Sequence, residues 1–402
     1  MTELRSGLFD RSNMSAFGTL ETAELHPVIQ GDWVHGINTQ IWQAGVTSGT
    51  GATVDTNAAR LRIQSGTNSA GYAYQLSRRP IRYRAGQGLV ARFTPIFTTG
   101  VADNIQFWGV GAVVSNAIYD GYGFMYNGAS FGVGHYVRGA AVAFTAQASW
   151  NGGTLPFTYE PTKGTPVMIK YPYLGYGNIE FFIQVPDTGR WFLAHVIKYA
   201  NTVATTQLSN PSMYFMGYTL NSGNTSNMTM YCGSVGIFLS GERSFVGNPK
   251  WAVDSSKSTI TTETNLITIK NATTFNTITN RGLIRVNSIS VSSSAANGGA
   301  IFRLKINATL GGSPSYTTVN GTTSDAGVTI TSGNSIASYD TAGTTVSGGT
   351  FIYSISVDNP NSTMKDLIQE SLIIAPGETL TVSGYSTNSA TMGVSVNFSE
   401  DI

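Results

Sequence analysis

Charge is what this chain has least of. Asp, Glu, Lys and Arg supply 11% of its 402 residues, against about 25% in an ordinary soluble domain. The net charge is +1, so no global field draws the protein toward nucleic acid or an anionic membrane. Cysteine is almost absent. The single Cys232 excludes an internal disulfide framework, and it sits in an apolar run that reads as a buried strand. Long apolar runs are missing as well. None approaches the roughly 18 residues a membrane helix needs, and the Met1–Asp10 stretch lacks the apolar core of a secretory signal. The expectation is a protein made in a cytoplasm without membrane insertion.

What is present is Gly, Ser, Thr and Asn, with 44 aromatic residues. From Asp254 onward about a third of the residues are Ser or Thr, and Trp, His and Cys do not occur. Thr is β-branched and suits the solvated face of a pleated strand. Helical periodicity is scarce, its best candidate being two turns around Ser362–Glu370. Elsewhere short β runs alternate with Gly, Asn, Ser and Pro.

These patterns predict an all-β chain of two antiparallel β-sandwich domains, jelly-roll-like in strand number, behind an irregular N-terminal arm. Residues 1–40 form the arm, whose apolar residues keep no steady period and which would wrap its own domain or dock on a neighbouring subunit. Residues 41–252 hold ten or more strand candidates about ten residues apart, as an antiparallel sandwich requires. Residues 253–402 hold eight more. Turn residues around Gly247–Trp251 mark the boundary between the two domains.

The catalytic templates fail one after another. No Gly-x-Ser-x-Gly elbow occurs, and His26, His35, His135 and His195 make no metal-binding pair. The strand candidate at Ile179–Val185 carries Glu180 alone, with Asp187 in its turn and Glu160 isolated, where a glycosidase needs two facing carboxylates. Gly121–Gly128 mimics a phosphate loop but lies among β runs and is full of aromatics, so a hairpin is expected. No enzyme activity, metal or cofactor is therefore predicted.

Two clusters could bind a ligand. Aromatics near turns, Tyr119, Tyr122, Tyr126, Trp150, Tyr173 and Tyr176, could stack sugar rings, although sandwich cores consume aromatics too. Arg78, Arg79, Arg82 and Arg84, interleaved with Tyr83, form the basic cluster. They could hold phosphates or acidic sugars, or simply make a solvated or subunit-facing turn.

Three stretches also carry a resemblance: the arm Ser15–Gln30, the run Ser77–Thr94, and Gly121–Val133, with Leu372–Ser386 closing the chain. Together they resemble structural proteins of large tailed phages and related DNA viruses. The first domain in addition resembles concanavalin-like lectin folds in strand count and aromatic content. This resemblance implies a non-enzymatic virion component: a capsid decoration, head fibre or tail attachment protein, with other virion proteins as partners. The arm and the low-charge surfaces call for partners, so a homo-oligomer, a trimer for instance, is expected. The alternative is a receptor-recognition protein that binds a host-surface glycan through the loop aromatics.

Overall fold

A computed structural model describes residues 25–240, 248–295, 299–319, 321–325, 328–332, 335–358, 361–367 and 372–402. The chain divides into two compact units, Met1–Ser244 and Phe245–Ile402. No α-helix occurs among the described residues, whose one helical turn is the 3-10 turn Gln147–Ser149. The helix expected at 362–370 is a strand over Asn361–Asp366, paired with Ser288–Ser293; residues 368–370 lie outside the described set. Two turns are too short to persist against a sheet edge that offers a ready ladder.

Among its described residues the first unit has fifteen strands: β1 (Leu25–Asp32), β2 (Trp42–Val46), β3 (Thr53–Asn57), β4 (Arg60–Gln64), β5 (Tyr72–Ser77), β6 (Gly88–Ile96), β7 (Asn104–Val114), β8 (Ala117–Asn127), β9 (Ser130–Val137), β10 (Ala140–Ala146), β11 (Val167–Pro172), β12 (Ile179–Gln184), β13 (Trp191–Ile197), β14 (Tyr214–Asn221) and β15 (Thr229–Ser240). They form two antiparallel sheets. The eight-stranded one runs β13-β12-β11-β6-β15-β4-β3, with β1 also on β15; the seven-stranded one runs β10-β9-β8-β7-β14-β5-β2. Between them, Leu61, Ile63, Ala91, Phe93, Ile169, Phe181 and Ile237 meet Trp108, Val110, Phe124, Val133 and Phe215 in one buried core. Each large apolar side chain removed from water there contributes about 1.5–3 kcal/mol.

Here the arm is corrected. Residues 1–24 lie outside the described set, but Leu25–Asp32 is β1, hydrogen-bonded to β15. Its ladder slips between Pro27 and Ile29. That bulge breaks the two-residue alternation, so the sequence pattern looked irregular.

The second unit contributes β16 (Lys250–Ile260), β17 (Thr264–Asn271), β18 (Leu283–Ser293), β19 (Ala300–Ile306), β20 (Thr317–Thr318), β21 (Ala337–Asp340), β22 (Thr350–Val357), β23 (Asn361–Asp366), β24 (Ile373–Ile374), β25 (Thr379–Ser386) and β26 (Ala390–Asp401), besides short hairpins. One sheet runs β16-β26-β18-β23, with β24 on β18. The other runs β20-β21-β17-β25-β19-β22. Ile267, Val286, Ile289, Phe302, Leu304, Val382, Val396 and Phe398 fill the space between them.

The predicted boundary at 252/253 falls inside β16, which pairs along its length with β26. Asp254-Ser-Ser-Lys-Ser looked like a linker because polar residues crowd there, yet such residues also furnish a solvated edge strand. The Pro376-Gly377 turn is present as expected. Glu378 N–H donates to Ala375 O at 2.9 Å, and Gly377 adopts φ +84°, the left-handed value a type II turn requires at that position.

Candidate functional site

The structure disperses the aromatic cluster. Tyr122 and Tyr126 point into the core and are buried. Tyr122 donates to Gln207 Oε1 at 2.9 Å and packs on Tyr171 and His135, with ring centroids 5.2 and 5.0 Å away. Burial, reinforced by the surrounding Tyr171, Tyr173, Tyr199 and Asp120, holds its phenol well above the ordinary range. Tyr126 lies against Phe131 and Phe97. In the sequence Gly121 and Gly123 imitate turn chemistry, which sets both tyrosines beside a loop. Those glycines instead sit inside β8, where Gly123 makes room for the Phe107 ring.

Tyr119 is half-buried on β8. Tyr173 and Tyr176 use their hydroxyls structurally, donating to Leu208 O at 3.1 Å and Ala204 O at 3.0 Å. With Tyr122 and His135, whose Nε2 meets Gln207 O at 2.6 Å, they pin the 199–209 segment to the sandwich. Burial lowers the His135 pKa against the opposing effects of that hydrogen bond and of Asp120. A ring that donates Nε2–H to a buried carbonyl while neutral suits a fastening, not proton exchange.

The arginines separate too. Arg78 Nε donates to Thr39 O at 2.8 Å and Arg82 Nη1 to Ser212 Oγ at 2.8 Å, while Arg84 is half-buried and Arg79 is exposed. The turn-forming role fits these bonds. Glu160 pairs with Lys163 at 2.9 Å, and Glu180 stands opposite Lys170 in the β11–β12 ladder. Cys232 is buried, and burial pushes its thiol up to about 12.

Among the described residues, Trp150 lines a concavity. The cleft measures about 530 Å3 and is walled by Gln147, Ala148, Trp150, Asn151, Gly153, Thr154 and Leu155. None of these side chains ionises. The half-buried indole is anchored by Nε1–H donation to Thr145 O at 3.2 Å and by edge contacts with Phe124 and Phe131. Asn151 locks the wall by behaving as a strand residue. Its amide donates to Val196 O at 3.0 Å and accepts from Val196 N–H at 2.8 Å, and Gly152 N–H reaches Ala194 O at 3.0 Å. The cleft is thus rigid, uncharged and aromatic on one wall. Gln147 and Thr154 add an amide and a hydroxyl to the lining.

A second, larger cleft of about 690 Å3 was not legible in the sequence. It is lined by Gln30, Gly31, Asp32, His35, Gly36, Ile37, Asn38, Ile41, Trp42 and Val235. Seven of its ten lining residues fall in the expected arm. The one available signal was Trp33 and Trp42, ring centroids 4.7 Å apart, flanking Asp, His and Asn.

No family model matches the chain, and no curated protein does. Three solved structures illustrate what it is similar to. The lectin from Bauhinia forficata in complex with GalNAc is 13% identical, over 54% of this chain and 99% of that one, with a TM-score of 0.34. The cellulose-induced protein Cip1 is 13% identical over 52% and 96%, at 0.36. Lectin II from Ulex europaeus is 11% identical over 53% and 99%, at 0.37. Scores this low carry no argument about ligand or activity. The sandwich assignment rests on the strand pairing described above.

Proposed function

We propose that the first unit is a non-enzymatic recognition module that binds a neutral glycan in the Trp150 cleft. The observation that carries this reading is the anchored, half-buried Trp150 on the wall of a cleft with no ionisable lining. An indole offers an apolar surface to the C–H face of a pyranose, while amide and hydroxyl groups serve its hydroxyls. Acidic sugars would find no cationic partner there.

The test is a broad glycan array followed by titration of the best neutral hit. Trp150→Ala is expected to weaken binding at least tenfold, or about 1.4 kcal/mol. Raising salt from about 0.05 to 0.5 M should leave the affinity unchanged, because no charges are there to be screened. Absence of any neutral hit, or a hit indifferent to Trp150→Ala, overturns the assignment.

The same reading has the chain serve on a virion surface, as the Ser77–Thr94 and Gly121–Val133 resemblance suggests, with the hydroxyl-faced second unit as a chemically inert support. Detection of the chain in purified particles by mass spectrometry is the expected result. Absence from them would remove the virion role while leaving glycan binding intact.

A further inference from the structure

The sheet edges of this molecule differ in one telling way. A free edge exposes unpaired N–H and C=O groups that invite another chain, and proteins usually block it with charge, proline or a bulge. With charge scarce, this chain relies on bulges placed in the edge strands themselves. An extra residue interrupts β1 at Val28, β10 at Val142, β13 at Ala194 and β22 at Ile352. Asn151 and Gly152 further occupy the β13 edge. The register of β16 slips between Lys257 and Ile260; β3 carries Asp55, and β23 carries Lys365 and Asp366.

Among the described edges longer than two residues in the four main sheets, β2 has none of these devices. Trp42-Gln-Ala-Gly-Val46 pairs with β5 in unbroken register and contains no charge and no proline. Arg78 N–H donates to Ile41 O at 2.7 Å and Thr47 N–H to Tyr72 O at 3.0 Å. Antiparallel alternation between these two bonds directs the main-chain groups of Gln43 and Gly45 to β5, and those of Ala44 and Val46 outward. Among the described residues nothing hydrogen-bonds them. Ala44 is exposed and Val46 is 41% exposed, flanked by exposed Ile41.

The cleft of Asp32, His35, Asn38 and Trp42 opens at the start of this strand. The cleft floor is preformed. Asp32 Oδ1 accepts from Val34 N–H, Asn38 Oδ1 accepts from Gln40 N–H, and a Cβ on Gly31 would overlap the Trp42 indole.

We infer that β2 is a strand-addition site for an extended segment of another protein. That segment adds an antiparallel strand along Ala44 and Val46 and seats a basic or amide side chain in the neighbouring cleft. Main-chain groups facing outward in register are satisfied most fully by another extended main chain. The end-pocket chemistry sets the class of side chain: Asp32 is the one carboxylate lining the cleft, and no Lys or Arg lines it. An acidic side chain is disfavoured there. This inference is independent of the Trp150 reading, because it involves none of the same residues.

The probe is a capped octapeptide of alternating Thr and Val ending in Lys, N-methylated at alternate residues so that it bonds through one edge and does not stack on itself. It is titrated into the full chain, with hydrogen exchange read at Ala44 and Val46. Both amides are expected to exchange rapidly in the free protein and to become protected with peptide. Ala44→Pro, which removes an outward donor, and Val46→Lys, a check that keeps every backbone donor, should each weaken binding at least tenfold. Trp150→Ala should not change it.

A fully N-methylated peptide should not bind. Equal binding of the two peptides, no binding at millimolar concentration, or binding that survives Ala44→Pro overturns the inference. Protection of both amides without peptide in a dimeric protein also overturns it, since the occupant is then a second copy of this chain.

Discussion

The two units use a charge-poor sequence in opposite ways. In the first, the outward face of the seven-stranded sheet is apolar as well as its inward one. Phe107, Met125, Met216 and Tyr218 point away from the central core and are nevertheless buried, in a separate layer with Leu76, Ile118 and Tyr136. They lie flat because glycines on neighbouring strands leave space. A Cβ on Gly123 would overlap Phe107, and one on Gly134 would overlap Met125. In the second unit the outward positions of the β18–β26 pair are small and polar: Ser288, Ser290 and Ser292 on β18, and Ser395 and Asn397 on β26, alternate with Ile289, Val291, Val394 and Val396. That is the one-face-solvated pattern of an antiparallel sheet. A low-charge β protein can therefore bury both faces of a sheet or clothe one in hydroxyls, and this molecule does each once.

The contrast is broken most forcefully by outward-facing substitutions. Phe107→Ala should cost the first unit about 3–5 kcal/mol, like the loss of any fully buried aromatic. The matching Ser290→Ala in the second unit should stay within about 0.5 kcal/mol. Tryptophan fluorescence in a denaturant titration reads the first unit, which holds five of the six Trp, and hydrogen exchange of β18 peptides reads the second. Equal costs would erase the distinction.

Next in size are the glycines. Gly217→Ala drives a methyl into the Trp108 ring and should cost about 1–3 kcal/mol. Gly384→Ala meets the end of the Met392 side chain at 2.6 Å, which can swing aside, and should cost less. The comparison of the two midpoints checks this.

Acid sensitivity separates the units further. Burial depresses the pKa of both His135 and His195, outweighing the opposing hydrogen bond and Asp120 charge at His135. The unfolded chain then takes up protons that the folded one resists. The first unit should keep full stability above the unfolded histidine value of about 6.5 and lose it as pH falls from there. In the second unit burial pushes Glu263 upward. Hydrogen bonds from Lys305 and Ser383, with the charges of Lys305 and Arg303, more than reverse that and leave its pKa lowered. Its contribution is present above the unfolded Glu value of about 4.3 and is lost as pH falls through the folded value. Acid should thus weaken the first unit before the second, and exchange-resolved titration would show the order. Glu263→Gln, the smallest effect, should cost no more than about 1 kcal/mol at neutral pH.

Much of this architecture was readable in the sequence. Ser130–Val137 and Thr379–Ser386 form at the expected bounds, because no extra residue interrupts either of them. β1, β10 and the end of β16 were not, because each contains a slip that flips side chains to the other face. Among ligand candidates, Trp150 lines a cleft, whereas Tyr122 and Tyr126 are core residues. Gly-Tyr-Gly spacing looks the same whether glycine turns the chain or makes room for a ring across the sheet.

By itself the sequence determined the β class, the scarcity of charge and the division into aromatic-rich and hydroxyl-rich halves, since these follow from composition and a two-residue period. Tertiary structure alone decided which aromatics are core and which line a cleft. It also decided which edge strands carry a bulge and that β2, among the described residues, carries none. Burial, bulges and edge position arise from which strand lies beside which, and no local pattern carries that.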